Sequence, residues 1–184
     1  MKEKKRKTDF RVYGAWNSER EEHWLSRMAR KGWHLTAPRG IFYRFVKGEP
    51  ADVAYRLDYQ RPAKGDLKEY LGLFKDAGWE HVDEFGNWHY FRIPTGGGPA
   101  PEIHTDPVSK IAMFRRLLGF LGIVGVAVWG PLMTSLVDHG RPHRFWFSIR
   151  GFQVAILVFM LYAVVRIALK IRRLKRDRAG EEKK

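Results

Sequence analysis

Residues 24–33 read WLSRMARKGW and residues 70–79 read YLGLFKDAGW, and the two stretches share an aromatic start and a Gly-Trp ending. Apolar residues spaced by three or four predict one amphipathic helix in each stretch. Gly32 and Gly78 suit the left-handed position directly after a helix, where any Cβ would cost energy. The two matched helices predict an internal repeat in this part of the chain.

The starts of the two helices also match. Ser18 is followed by Glu21, and Asp66 is followed by Glu69, at the spacing of a capping box. In that motif both side chains accept hydrogen bonds from backbone N–H groups at the helix start. We therefore predict a capping role for both glutamates.

Strand patterns flank both helices. Residues 53–59 alternate large apolar side chains with smaller or polar ones, as a half-buried strand does. Similar short patterns predict the remaining strands at residues 10–16, 33–37, 41–46, 80–85 and 88–93. The predicted fold class is α+β, with a duplicated β-α-β-β domain in which an antiparallel sheet carries both helices on one face.

Two long apolar segments follow this domain. Residues 117–137 contain no ionisable side chain, and as a helix they extend for roughly 30 Å, the thickness of the hydrocarbon core of a bilayer. Residues 151–165 are equally apolar, and this segment is long enough to span if Arg166 extends its guanidinium to the headgroups. We predict a two-helix transmembrane hairpin; for the first segment, a buried core helix is the alternative.

Basic residues indicate how the hairpin is oriented. They concentrate before the first span and after the core of the second, whereas the loop between the spans has three arginines. The positive-inside rule then places both termini in the cytoplasm and the loop outside. The N-terminal residues lack the apolar region of a signal peptide, so we expect the first half to stay in the cytoplasm.

These observations divide the chain into seven predicted segments. They are a basic tail at 1–9, the cytoplasmic α+β domain at 10–94, a Gly/Pro linker at 95–109, a first transmembrane helix at 110–137, a short external loop at 138–150, a second transmembrane helix at 151–170 and a basic cytoplasmic tail at 171–184. The Gly and Pro content of the linker predicts a mobile connection.

The net charge of +14, from 34 Lys and Arg against 20 Asp and Glu, would suit a nucleic-acid binder. The excess is uneven, because 19 basic and 16 acidic residues precede the cut after Ser109, whereas 15 basic and 4 acidic residues follow it. Basic residues beside a span bind anionic lipids of the cytoplasmic leaflet, at about 1 kcal/mol each. We therefore predict a bilayer with anionic lipids as partner, and no nucleic acid.

These residues resemble the bacterial membrane-associated family called domain of unknown function 2812. Its pattern combines W-L-x-x-M-A-x-x-G-W-x-L, an aromatic strand, Y-x-x-D-Y, a second G-W and a closing aromatic strand. The matching positions, within roughly residues 10–93, are Trp24, Leu25, Met28, Ala29, Gly32, Trp33, Leu35, Phe42, Tyr43, Phe45, Tyr55, Asp58, Tyr59, Gly78, Trp79, Trp88, Tyr90 and Phe91. The resemblance implies a bacterial cell-membrane protein with C-terminal spans and brings no activity. The topology is also loosely similar to that of GyrI-like ligand-binding domains, which place an aromatic cleft and an acidic residue between two repeats.

Eight residues of the domain are candidates for a ligand site between the repeats. Aromatic side chains could surround a cation or an amphiphile, and a carboxylate could neutralise its charge. The candidates are Trp33, Tyr55, Asp58, Tyr59, Trp79, Glu80, Trp88 and Tyr90. The alternative is that the aromatic residues form the core of a small domain and that Asp58 pairs with Arg56.

No catalytic or metal motif stands out in the sequence. The chain has no cysteine, which excludes disulfides and thiolate sites, and it has no phosphate-binding loop, G-x-S-x-G or H-E-x-x-H motif. His81 and His89 lie on the two arms of the last predicted hairpin, but no third ligand occurs at a recognisable spacing. A solvated or hydrogen-bonded pair is the favoured interpretation, and we predict no catalytic residue, no metal and no cofactor.

Together these features predict a membrane-anchored cytoplasmic module that senses a small amphiphilic or cationic ligand or docks a partner, without catalysis. The alternative is an accessory subunit of a larger membrane complex, such as an exporter, in which the hairpin contacts another membrane protein or a second copy of the chain. A third hypothesis is an unrecognised enzyme, for which Asp58 and the histidines would be the first residues to replace.

Overall fold

The computed structural model describes residues 5–63, 65–98, 107–137 and 143–181. The chain divides into two units, Met1–Asp106 and Pro107–Lys184. Parts of the predicted tails, linker and external loop lie outside the described residues, at positions 1–4, 99–106, 138–142 and 182–184.

The first sheet contains β1 (Arg6–Phe10), β2 (Trp33–Arg39) and β3 (Phe42–Lys47). These strands are antiparallel, in the order β1-β3-β2. The second sheet contains β4 (Val53–Tyr59), β5 (Glu80–Phe85) and β6 (Trp88–Pro94), which are antiparallel in the order β4-β6-β5. The first unit is thus a mixed α+β fold with two antiparallel three-stranded sheets, and the prediction of one sheet is corrected.

The N-terminal strand lies earlier than predicted. All of β1 except Phe10 lies in the predicted basic tail at 1–9, and residues 11–16 of the predicted strand are irregular apart from one 3-10 turn, Ala15–Asn17. The backbone of β1 pairs with β3. The Lys7 ammonium lies 3.0 Å from Asp9 Oδ2 and 5.8 Å from the centre of the Trp33 ring. The positive charge of Lys7 is therefore compatible with a place in the sheet, because Asp9 and the Trp33 ring lie beside it.

Helices α1 (Ser18–Arg30) and α2 (Leu67–Asp76) end as predicted. Gly32 and Gly78 follow them with φ angles of +74° and +84°, in the left-handed conformation. At Gly32 there is also no room for a side chain, because a Cβ would lie 2.6 Å from the carbonyl oxygen of Gly48.

The predicted capping boxes do not form. Asn17 and Asp66 occupy the N-cap positions, and neither side chain makes a capping hydrogen bond. Ser18 lies inside the helix, and Glu21 is buried. Tyrosine hydroxyls replace the backbone N–H groups as donors to the Glu21 carboxylate.

Helix α1 covers the free edge of β4. The N–H groups of Tyr55 and Leu57 donate to Ser26 Oγ at 3.3 Å and to Glu22 Oε1 at 3.0 Å. An edge strand otherwise exposes unpaired backbone groups that can pair with another strand. Since the helix satisfies these donors, the second sheet ends at β4 on this side.

The two helices pack into different cores. The apolar stripe of α1 packs with residues from both sheets, and the buried members of this core are Trp24, Leu25, Met28, Ala29, Leu35, Tyr43, Phe45, Tyr55, Leu57 and Tyr90. Helix α2 covers a second core, whose buried members are Ala54, Trp79 and Phe91.

These cores lie on opposite faces of the second sheet. Successive residues of a strand point to opposite faces. Ala54 therefore faces away from Tyr55 on β4, and Phe91 faces away from Tyr90 on β6. The prediction that both helices lie on one face is wrong, because the apolar residues of β4 and β6 occupy both faces.

The second unit consists of α3 (Pro107–Val137) and α4 (His143–Glu181). Each contains a stretch that is long and apolar enough to cross a membrane, Lys110–Gly130 and Gly151–Arg176. Helix α3 begins within the predicted linker, and α4 begins within the predicted external loop and continues into the predicted tail. The basic residues of that tail are good helix formers, so the helix does not end with the apolar segment.

Within the second unit, α3 and α4 contact each other. A Cβ at Gly125 would lie 3.7 Å from Met160 Cε, and the Lys170 ammonium lies 5.2 Å from the centre of the Phe114 ring. Only 22% and 11% of the two apolar stretches are buried. Of three small residues on α4, Ala163 is buried, whereas Gly151 and Ala155 are exposed.

Candidate functional site

The eight predicted site residues do not share one cavity. Trp88 and Tyr90 line a cavity of about 240 Å³ in the first unit. Tyr55 is fully buried in the core beneath α1, where its hydroxyl oxygen accepts the Leu35 N–H at 3.3 Å. Trp79 belongs to the core beneath α2. These two aromatic rings therefore have packing roles.

Trp33 and Tyr59 lie outside that cavity as well. The half-buried ring of Trp33 has the Lys47 ammonium 5.0 Å from its centre. The Tyr59 ring lies 5.2 Å from that of Trp88, and its hydroxyl oxygen accepts a hydrogen bond from Asn87 Nδ2 at 3.1 Å. Tyr59 thus supports the wall of the cavity through Trp88.

The two predicted carboxylates are engaged elsewhere. Asp58 is buried, and its Oδ2 accepts a hydrogen bond from the Tyr70 hydroxyl at 2.9 Å. Glu80 accepts two hydrogen bonds from Arg92, at 2.6 and 2.8 Å, and these bonds lower the pKa of the Glu80 carboxyl. Neither carboxylate is part of the cavity lining that contains Trp88 and Tyr90.

That cavity draws its lining from distant parts of the first unit. The segment before α1, the first turn of α1 and the β2–β3 turn form one side, and β4 with the β5–β6 hairpin forms the other. Most of the lining is aromatic or aliphatic, and a single carboxylate, that of Glu21, lies among these residues. We call this space the Glu21 cavity.

Glu21 is held by two tyrosines. The hydroxyls of Tyr43 and Tyr90 donate to Glu21 Oε1 at 2.9 and 2.7 Å. Only 6% of Glu21 is exposed, and its neighbours are aromatic: the Tyr43 ring packs edge-on against Trp24, with 5.0 Å between ring centres. Both hydroxyls are thus oriented by the core, and they hold the carboxylate in a fixed position.

Burial changes the proton affinity of this cluster. It raises the pKa of the Glu21 carboxyl above its ordinary value, while the hydrogen bonds from Tyr90 and Tyr43 act in the opposite direction. Burial, followed by the nearby Glu21 carboxylate, raises the pKa of both tyrosine hydroxyls. The tyrosines therefore remain hydrogen-bond donors, and ionisation of Glu21 leaves an anion in a poorly solvated place.

The family described as "Protein of unknown function (DUF2812)" matches residues 17–126, which is more than half of the chain. The chain belongs to this family. The match begins just before α1, includes both sheets from β2 onward and extends into α3. Neither the curated proteins nor the solved structures contain a match to the chain.

In this DUF2812 protein, Glu21 is a site residue that the sequence pattern does not identify as one. Its position near the start of α1 suggested helix capping, as did the serine three residues before it. The sequence also contains a pattern that indicates burial of Glu21. It lies at helical spacing from Trp24, Leu25 and Met28, all of which are buried. A carboxylate on the apolar stripe of a helix needs a buried partner, and here the partners are tyrosines.

The first unit of the DUF2812 protein also has a larger cleft, of about 650 Å³. Arginines from the outer face of α1 and from β4 line it, among them Arg20, Arg27 and Arg30. Arg30 Nε lies 2.6 Å from Asp52 Oδ1, so part of this charge is already neutralised within the unit. The cleft has the chemistry of an anion-binding surface, in contrast to the Glu21 cavity.

Proposed function

We propose that this DUF2812 protein is a membrane-anchored sensing module whose α+β unit binds a small organic cation or cationic amphiphile in the Glu21 cavity, without catalysis. The observation that carries this proposal is the buried Glu21 carboxylate, held by Tyr43 and Tyr90 at the wall of an aromatic cavity.

The electrostatics of the cavity favour a cation. An unpaired buried carboxylate is costly when ionised, and a positive charge beside it offsets that cost. The aromatic rings add attraction for an ammonium group, at about 0.5–2 kcal/mol per favourable contact. The volume of about 240 Å³ is below the roughly 300–1,000 Å³ of drug-sized sites, which supports a small ligand.

The proposed anchor is the pair of apolar helices. On α3 and α4, large apolar side chains such as Ile123, Val126 and Val158 are more than 60% exposed, which suits contact with lipid. The distribution of basic residues supports a cytoplasmic location for both termini and contact of the basic flanks with anionic lipids. In this proposal the net charge of +14 reflects binding of anionic lipids and not of a nucleic acid.

We also infer that the first unit arose by internal duplication. The strand order is first, third, second in both sheets, and α1 and α2 are followed by glycines in the same left-handed conformation. The two helices nevertheless pack differently, α1 along the edge of β4 and α2 over the face of the second sheet. The Glu21 cavity lies between the two halves, and its lining includes residues of α1 and none of α2.

Ligand binding can be tested with benzyltrimethylammonium and its uncharged isostere neopentylbenzene. We expect the cation to change the tryptophan fluorescence of the full chain in non-ionic detergent in a saturable way, because Trp88 lines the cavity. The variant Glu21→Gln keeps the size of the side chain and should bind the cation at least about tenfold more weakly, the equivalent of about 1.4 kcal/mol.

The matched control is Glu69→Gln, which removes an exposed glutamate from the first turn of α2 and should leave the affinity unchanged. If Glu21→Gln bound a panel of small quaternary ammonium ions as tightly as the unaltered chain does, the cavity would not be a cation site. Equal binding of neopentylbenzene and the cation would likewise assign the cavity to apolar ligands.

The affinity for the cation should increase with pH. In the folded protein, burial raises the pKa of Glu21, so the carboxyl binds a proton more readily than an ordinary glutamate does. A bound cation favours the ionised form, and proton and cation therefore compete. Binding should strengthen as the pH rises from the ordinary glutamate range through the raised pKa and then level off. The Glu21→Gln variant should show a flat profile across the same range.

Reporter fusions test the proposed topology. A reporter that is active only in the cytoplasm should be active at both termini, since both are expected on the side with more basic residues. A reporter in the segment between α3 and α4 should behave as external. Export of the N-terminal reporter would contradict the cytoplasmic location of the first unit.

A further inference from the structure

We propose that the β5–β6 hairpin carries a Zn²⁺ site formed by His81, Glu84 and His89. These residues lie on the face of the second sheet that α2 covers, and one ligand atom from each lies within 4.8 Å of the others. Two imidazole nitrogens and a carboxylate oxygen form a ligand set that zinc commonly adopts, and a water or another ligand completes four-coordination.

The distances fit a shared metal better than direct hydrogen bonds. His89 Nδ1 lies 3.4 Å from His81 Nε2 and 3.4 Å from Glu84 Oε2. Ligand atoms at about 2.0–2.1 Å from a tetrahedral zinc ion are roughly 3.3–3.4 Å apart. A charge-assisted hydrogen bond between an imidazolium and a carboxylate would be shorter, at about 2.7–2.9 Å.

A β-bulge brings the ligands together. His81 and Glu84 are three positions apart, so in a regular strand they would point to opposite faces. The register of β5 against β6 shifts between His81 and Asp83, and His81 pairs with Phe91 while Glu84 pairs with His89. Phe91 and His89 are two residues apart on β6 and therefore share a face. Their pairing partners, His81 and Glu84, lie on that same face because of the shift. The bulge thus brings together His81, Glu84 and His89, whose spacing in the sequence matches no metal-binding motif.

The surroundings of the three side chains also suit a metal. His89 is only 2% exposed, and the Tyr70 ring of α2 lies 5.0 Å from its imidazole, so the position of the ring is fixed by packing. Glu84 has a half-exposed side chain, which leaves a path from solvent to the site. The site therefore combines a fixed, buried ligand, His89, with an accessible one, Glu84, through which an ion can enter from solvent.

This site is separate from the Glu21 cavity. His89 and Tyr90 are neighbours on β6, and their side chains point to opposite faces of the second sheet. Tyr90 bonds Glu21 on the α1 side, whereas His89 lies against Tyr70 on the α2 side. Metal binding could therefore brace the second sheet and α2 without occupying the proposed cation site.

The test uses the full chain in non-ionic detergent, purified without a histidine tag and stripped of metal with a chelator. We expect one Zn²⁺ per chain in competition with a fluorescent chelator, and a visible absorption band of a four-coordinate ion when Co²⁺ replaces zinc. Glu84→Gln and His81→Gln should each weaken Zn²⁺ binding at least about tenfold, since even outer-shell partners of a metal cost 10–100-fold.

The matched control is His23→Gln, which removes an exposed histidine of α1 and should leave Zn²⁺ binding unchanged. Glu84 and His81 are preferred to His89 for replacement because they are less buried, and far-ultraviolet circular dichroism of each variant checks that it is folded. The site would be rejected if Zn²⁺ bound with the same affinity to Glu84→Gln, His81→Gln and the unaltered chain, or if the unaltered chain bound none. Benzyltrimethylammonium binding should be equal in all of these variants, so the two proposals fail independently.

Discussion

Replacing Phe45 by alanine is expected to lower the free energy of unfolding by about 3–5 kcal/mol. Phe45 lies on β3 with 1% of its surface exposed, and its ring packs edge-on against Trp24 with 5.6 Å between ring centres. The substitution removes a large buried apolar surface and leaves a cavity in a close-packed core. Urea unfolding of the full chain in mild detergent, followed by tryptophan fluorescence, measures the loss.

Phe42 offers a matched control on the same strand. It is 48% exposed and contacts Phe10, with ring centres 5.7 Å apart. Phe42→Ala should cost less than about 1 kcal/mol, because most surface substitutions have small effects. Equal losses for Phe45→Ala and Phe42→Ala would contradict the assignment of Phe45 to the core beneath α1.

Replacing Glu22 by alanine should have a comparably large effect, a loss of about 3–5 kcal/mol. Glu22 Oε2 lies 3.6 Å from Arg56 Nη1, and the two side chains are 9% and 13% exposed. Glu22 Oε1 accepts the Leu57 N–H at 3.0 Å. The alanine variant therefore removes the carboxylate that faces the nearly buried Arg56 guanidinium. It also removes the acceptor of the Leu57 N–H in the interior.

Two further variants separate these contributions. Glu22→Gln keeps an acceptor for the Leu57 N–H but loses the charge, so its loss should be smaller, about 1–3 kcal/mol. Glu69→Ala removes an exposed glutamate from α2 and should have little effect on stability. A Glu22→Ala variant as stable as Glu69→Ala would show that α1 does not depend on this contact to cover β4.

Local patterns predicted much of the fold. The spacing of apolar residues located α1 and α2, and Gly32 and Gly78 marked their ends, because only glycine adopts a positive φ at little cost. The length of the two apolar segments likewise predicted α3 and α4. Such features depend on residues that are close in the chain, so a short window contains the necessary information.

The arrangement of the sheets depended on contacts between distant residues. Alternation predicted β4 and β6, but it does not specify which strand lies beside which. The free edge of β4 is satisfied by Glu22 and Ser26 of α1, so the helix and not another strand covers that edge. No pattern within a single strand reveals that a helix will supply those acceptors.

The candidate sites depend even more strongly on contacts between residues that are distant in the chain. Composition and periodicity were enough to indicate an α+β unit rich in aromatic residues, two apolar helices and an uneven charge. Glu21 was interpreted as a capping residue because its donor, the Tyr90 hydroxyl, lies 69 positions later in the chain. His81, Glu84 and His89 had no recognisable spacing, since a bulge changes which face His81 occupies. Burial and register are set by packing between segments, and for that reason only the folded chain shows which carboxylate faces an aromatic cavity and which histidines converge.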